Sequence, residues 1–188
     1  MTRLPILFAA AGLALAAGPA PADDVTDAIE QGRKAYSAGE LSKAKAALDL
    51  ASQLIGQMNA EAFGKLLPAA LAGWTADAVQ TSAAGTVGLG ATTASRTYHK
   101  PNGDTIDVQI SGDSAIIMQY AAFLANPQIA GAMGRIVMVG PLPALQTMDG
   151  DLHMIAANKY LVSVQGNGSP SDKLAYARVI DLAQLSKI

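Results

Sequence analysis

The residues best suited to chemistry lie in the short stretch DGDLH, where Asp149, Asp151 and His153 alternate. On an extended strand, alternate side chains share one face of the sheet, so two carboxylates and an imidazole would lie together. Such groups are ligands for zinc, manganese or copper. Asp-Gly also forms an ordinary turn, because acids are favoured there by local hydrogen bonding. The sequence favours a turn followed by a strand and no cofactor, with a metal site as the alternative.

A second possible constellation pairs His99 with Asp104 across the turn PNGD. An imidazole beside a carboxylate could act as a general base. The chain has only two histidines, no cysteine and no Gly-x-Ser-x-Gly motif, so a thiolate nucleophile, a Cys-based zinc site and the nucleophile elbow are absent. We therefore expect no catalytic residues and a protein that is not an enzyme, with an unrecognised hydrolase as the alternative.

Methionine is the remaining residue type with chemical potential, since thioethers suit copper(I). The five methionines of the second half are dispersed rather than clustered, which favours core packing, notably for Met138 and Met154 in apolar runs. Met133 stands apart, in a predicted loop from Asn126 to Gly134. An exposed thioether there could contact a partner.

Residues 1–22 have the pattern of a cleaved secretory signal. Arg3 supplies a positive start, Leu4 to Ala17 form an apolar run, and Ala20 and Ala22 are the small residues before a cut at Asp23. The alternative is a membrane anchor, but the run is shorter than the ~20 residues that span a bilayer. We expect a periplasmic or secreted bacterial protein with no stable membrane span after cleavage.

The charge balance argues against nucleic acid as a partner. Removal of residues 1–22 leaves 12 basic residues against 15 acidic ones. A nucleic-acid surface would need clustered Lys and Arg instead.

Residues 23–67 predict a helical hairpin with a third helix. Gly39 marks the turn between the first two helices. Apolar and small residues of the first helix recur at spacings of three and four and share one face: Val25, Ala28, Ile29, Gly32, Ala35 and Tyr36. The second helix is expected to bury seven residues: Leu41, Ala44, Ala47, Leu48, Ala51, Leu54 and Ile55. A third helix is expected from Ala60 to Leu67, with Asn59 as its N-cap.

This hairpin resembles a single tetratricopeptide repeat, a family with small residues at the helix crossing and a glycine in the turn. The residues that carry the resemblance are Gly32, Ala35, Tyr36, Gly39, Leu41, Ala44, Leu48 and Ala51. The resemblance implies a docking surface, for which Lys43, Lys45 and Gln53 are the candidate partner-binding residues. A hairpin that merely packs on its own chain is the alternative, because one repeat cannot bury its own faces.

Residues 68–93 are small and rich in Gly, Ala and Thr, and predict a linker. Residues 94–188 then predict an α+β domain with the element order ββα-ββββα, an antiparallel sheet of about six strands and helices on one face. The stretches SRTYHKPNGDTIDVQI and NKYLVSVQGNG resemble uncharacterised secreted bacterial α+β domains, a resemblance that implies no reaction.

These features together predict an exported, non-catalytic binding or assembly protein of the cell envelope, with an envelope protein as partner. A periplasmic protein that binds a small molecule or a metal is the alternative.

Overall fold

A computed structural model describes residues 21–83, 91–112, 115–126 and 131–188. The α+β class is confirmed: two N-terminal helices precede an antiparallel sheet with further helices. Most of the expected signal (residues 1–20), the middle of the expected linker (84–90) and part of the expected loop (127–130) lie outside the described residues.

The two N-terminal helices form an antiparallel hairpin. Helix α1 spans Pro21–Ser37 and α2 spans Leu41–Leu66. The turn between them contains Gly39 at a φ of +78°, a left-handed conformation that glycine adopts without a steric penalty.

The expected third helix is wrong, because α2 runs unbroken through Gly56 and Asn59. An interior glycine costs a helix about 1 kcal/mol relative to alanine, too little to end it when its surroundings favour continuation. Gly56, Ala60 and Phe63 are all buried, so packing of this side of α2 keeps the helix continuous.

The two halves of α2 have different neighbours. In the second half, the Phe63 ring packs edge-on against Tyr160 of the sheet, and Gly64 approaches Val79. In the first half, Ala44 and Ala51 are buried at the crossing with α1. At 1.5 Å per residue, the stretch from Leu41 to Ile55 is about 22 Å long.

Within the described residues the sheet has eight strands, where about six were expected. In chain order they are β1 (Thr75–Ala76), β2 (Gln80–Ser82), β3 (Thr92–His99), β4 (Thr105–Gly112), β5 (Gly134–Val139), β6 (Leu142–Thr147), β7 (Leu152–Ala156) and β8 (Tyr160–Gly166). All pairs are antiparallel, in the order β1-β3-β4-β8-β7-β6-β5, with β2 also on β3. The two additional strands come from the segment predicted as a linker, where Ala76 pairs with Tyr98 and Thr81 with Ala94.

In the described part of the domain, further helices are α3 (Ala115–Ala125), α4 (Pro170–Val179) and α5 (Leu182–Leu185), and residues 131–133 are helical as well. Ser169 is the N-cap of α4, since its side chain accepts a hydrogen bond from the Asp172 backbone N–H.

The main core lies between one face of the sheet and helices α2, α4 and α5. Alternate residues of β4 point into it, and Ile106, Val108 and Ile110 are fully buried as the period of two predicts. The helices contribute Phe63, Tyr176 and Leu185 to the same cluster.

Helices lie on both faces of the sheet, so the expectation of one covered face is wrong. Met154 points into the main core, and the adjacent His153 therefore points to the opposite face. The Tyr120 ring of α3 stacks on His153 at 4.7 Å. Leu145 and Leu161 are also buried and share this second face, so it needs a helix of its own to exclude water.

Candidate functional site

The DGDLH stretch forms part of a buried ion pair. Lys173 of α4, whose side chain is 1 % exposed, donates from Nζ to Asp151 Oδ1 at 2.7 Å and to the backbone oxygen of Asp149 at 2.9 Å. The strand begins one residue after Asp151, so this carboxylate belongs to the turn and faces α4 rather than α3. The sequence offered no signal for Lys173, because its partner is 22 residues away.

His153, the third member of that stretch, lies beneath α3. Its Nδ1 is 3.1 Å from the Ser163 hydroxyl. Burial lowers the pKa of His153, and the nearby Asp151 carboxylate offsets only part of this effect. In the described part of the chain, no three His, Cys, Asp or Glu side chains lie together in a way that could hold a metal ion.

His99 pairs with Asp77 and not with Asp104, which corrects the constellation expected from the sequence. Its Nε2 lies 2.9 Å from Asp77 Oδ2, and both side chains are largely exposed. Strand β1 brings this carboxylate alongside β3, with Thr75 opposite His99. Asp104 instead accepts a hydrogen bond from Asn102 within the turn.

An aromatic cluster holds residues 68–77 on the domain. The Trp74 ring lies edge-on to Tyr176 at 5.5 Å, and the Tyr98 hydroxyl donates to the backbone oxygen of Pro68 at 2.7 Å. The Lys100 ammonium lies over Trp74 at 4.7 Å and also donates to Asp172 at 2.8 Å. That hydrogen bond is the main cause that lowers the pKa of Asp172. These contacts give the cluster a structural role.

A shallow depression of about 330 Å³ lies at one end of the sheet, where Gln146, Met148 and Pro170 contribute to its lining. Arg135 also lines it and donates from Nε to Gln146 Oε1 at 2.8 Å. The predicted binding-loop residue, Met133, is partly exposed in a helical turn before β5. Met154 is buried as expected, whereas Met138 is exposed on the edge strand, contrary to the core role expected for it.

The three residues expected to bind a partner do not form one patch. Lys43 pairs with Glu40 at 2.9 Å, and Lys45 pairs with Asp49 at 2.5 Å. Two residues apart on a helix means about 200° apart around it, so Lys43 and Lys45 lie on nearly opposite sides of α2. Gln53 is exposed between these two directions.

The hairpin instead exposes a row of large apolar side chains that we call the apolar stripe. Its members are Ile29 and Tyr36 on α1 with Leu41, Leu48 and Ile55 on α2. Tyr36 is 70 % exposed, Leu41 65 % and Leu48 51 %. Three of these residues were expected to be buried, and they are not, because the residues buried in this part of α2 are the small Ala44 and Ala51.

Both rows of the apolar stripe lie on one side of the hairpin. Residues seven apart fall on one line of a helix, as Ile29 and Tyr36 do on α1. Leu48 ties the α2 row to the same side, since its Cγ and Cδ2 lie 3.1 Å from where a Cβ on Gly32 would stand. The opposite side is polar around a shallow depression lined by Gln31, Lys34 and Lys43.

The chain matches no protein-family model, no curated protein and no solved structure.

The apolar stripe is therefore the feature of this structure that bears most directly on function. Single exposed leucines are ordinary on a protein surface, but a contiguous patch of this kind marks a site of interaction. The members of the stripe lie on two continuous helices, so regular backbone sets their spacing. The arrangement is suited to helix-to-helix contact.

Proposed function

We propose that this chain is an exported, non-catalytic binding or assembly protein of the cell envelope, and that its projecting hairpin is the contact element. The apolar stripe is the observation that supports this role. Five large apolar side chains are in contact with water, and their burial against another surface would lower the free energy.

The division of the molecule fits the same role. The sheet, with α2, α4 and α5, buries a core large enough to hold the domain together. The outer part of the hairpin adds little to that core, since its crossing is made of alanine and glycine. A segment that contributes so little packing is better understood as a presented surface.

Isolation of the tagged protein from a gently prepared periplasmic extract tests this role. We compare the unmodified protein with Leu48→Ser and with Leu50→Ser. Leu50 is a matched control: it lies on the same helix, is 47 % exposed, and sits about 160° around from the stripe. Far-UV circular dichroism verifies that each variant keeps its helices.

The proposal expects an association, with a further copy of this chain or with another envelope protein, that Leu48→Ser abolishes and Leu50→Ser preserves. Associations equally strong in both variants, or none in the unmodified protein, would contradict it.

A further inference from the structure

The apolar stripe has the spacing of a surface that meets another helix pair. Leu41, Leu48 and Ile55 repeat at intervals of seven, as core residues do where helices pack side by side. On α1, Ile29 and Tyr36 repeat at the same interval, and Leu48 of α2 covers the buried Gly32 between them. Side chains of a second hairpin can therefore enter between the rows, as ridges enter grooves.

The charges of the hairpin are divided along its length. The half nearer the turn, residues 32–46, carries Arg33, Lys34, Lys43 and Lys45 against the single acid Glu40. The other half, residues 21–31 and 47–58, has five acids and no Lys or Arg: Asp23, Asp24, Asp27, Glu30 and Asp49. Ion pairs within the hairpin, such as Arg33 with Glu30, do not alter the net charge of either half.

This division fits a second copy in one orientation. Two hairpins packed stripe to stripe and antiparallel would place the basic half of each beside the acidic half of the other. A parallel arrangement would place like charges together. No other partner is required for the complementarity, because one chain carries both members of it.

The size of the apolar stripe is adequate for a weak to moderate dimer. At roughly 150–250 Å² for each large side chain when fully exposed, the exposed fractions of its five members correspond to roughly 400–700 Å². A standard interface uses about 800 Å² on each partner, and the polar side chains that flank the stripe supply the remainder.

We infer that this protein forms a two-fold homodimer, in which the apolar stripes of two hairpins pack antiparallel as a four-helix bundle. This inference rests on the proposed role of the hairpin as a contact element, and it identifies a second copy of the chain as the partner that covers the stripe. The axis runs across the helices near Leu48, so that Lys45 of one copy lies beside Ser52 of the other. Both residues are exposed, and both lie on the flank of the stripe.

Sedimentation equilibrium of the purified protein between about 1 and 200 µM tests the dimer. The unmodified protein should pass from monomer mass towards twice that mass across this range. Leu48→Ser should raise the dissociation constant at least ten-fold, and Leu50→Ser should change it less than two-fold. Since the charged halves attract, a rise from 50 to 500 mM salt should weaken the dimer several-fold.

The absence of native cysteine permits a direct test of orientation. A mixture of Lys45→Cys and Ser52→Cys proteins should form a disulfide dimer faster than either protein alone. Ser37→Cys, beside the turn, should not cross-link to itself, because the two turns lie at opposite ends of an antiparallel dimer. Rapid cross-linking of Ser37→Cys would overturn the antiparallel arrangement.

The outcomes separate this inference from the proposed function. A monomer at 200 µM, or equal effects of Leu48→Ser and Leu50→Ser, overturns the dimer. If such a monomer still retains a different envelope protein that Leu48→Ser releases, the contact role of the hairpin stands and the occupant is wrong. If no association of either kind occurs, both are wrong.

Discussion

Leu48 on α2 lies directly over Gly32 on α1, with its branch carbons 3.1 Å from where a Cβ at Gly32 would stand. The absent side chain lets the leucine rest on the α1 backbone while half of it remains in contact with water. Small residues thus allow the helices to approach closely, and the large apolar residues are left at the outer surface. The surface available for association is a consequence of how this hairpin packs.

Enlargement of the helix crossing should damage the hairpin more than the sheet domain. Ala51 is buried against α1, so Ala51→Leu should force the helices apart and destabilise α1 by about 1–3 kcal/mol. Ala46→Leu is the control, since Ala46 is exposed on the same helix. Circular dichroism should show an early loss of helix in Ala51→Leu, while the fluorescence of Trp74, the only tryptophan, keeps its transition. A parallel fall of both signals would show that the hairpin and the domain unfold as one unit.

The stability that is lost when one partner of the buried ion pair is removed should depend on which partner it is. Asp151→Ala leaves the ammonium of Lys173 buried without its carboxylate, at a cost of about 3 kcal/mol. Lys173→Met leaves a carboxylate that solvent can reach, and should cost less. The double variant should recover part of the loss from Asp151→Ala. Urea unfolding followed by Trp74 fluorescence measures all three, and equal costs for the two single variants would show that the buried ammonium is solvated.

Stability should fall as the pH drops below the ordinary pKa of histidine, because burial lowers the pKa of His153 in the folded state. Its lowered pKa means that the unfolded chain takes up a proton first, near pH 6.5, which favours unfolding by up to about 1.4 kcal/mol per pH unit. Urea unfolding at pH 7.5 and pH 5.5 measures the change. His153→Phe should remove this part of the stability loss between the two pH values, and His99→Asn should keep it. If His153→Phe loses as much stability as the unmodified protein, other groups cause the loss.

Gly134→Ala should destabilise the protein strongly, since a Cβ there would overlap the backbone oxygen of Gln146 on the neighbouring strand. We expect a loss of about 2–3 kcal/mol from the forced backbone shift. Gly131→Ala is the matched control, because a Cβ at that position meets no atom within 4 Å. The difference in thermal midpoint between the two variants is the measurement. Midpoints that agree would mean that β5 and β6 separate at this end without cost.

Local patterns were enough to predict much of the fold. Gly39 marked the turn between α1 and α2, and the stretch DGDLH was expected to form a turn followed by a strand, as it does before β7. These features depend on residues near one another in the chain, where turn and capping preferences act directly.

Contacts between distant segments escaped the sequence analysis. Residues 75–82 contain no strong strand signal, and they join the sheet because β3 offers an unpaired edge. The same edge determines that His99 pairs with Asp77. Likewise, Leu41, Leu48 and Ile55 are exposed because few other elements of the fold surround the hairpin. An apolar period of 3.6 residues predicts an amphipathic helix but does not show how many elements pack against it.

Hydrogen exchange of the backbone amides of α1 and of the first half of α2 tests most directly whether the apolar stripe is a contact surface. Exchange is measured by mass spectrometry on peptides that cover residues 23–37 and 41–55, at low and high protein concentration and with periplasmic extract added. The account predicts that slower exchange appears in these peptides on association and is lost in Leu48→Ser, while peptides from β4 and β8 are unchanged. Exchange in the hairpin that stays the same under every condition would contradict the account.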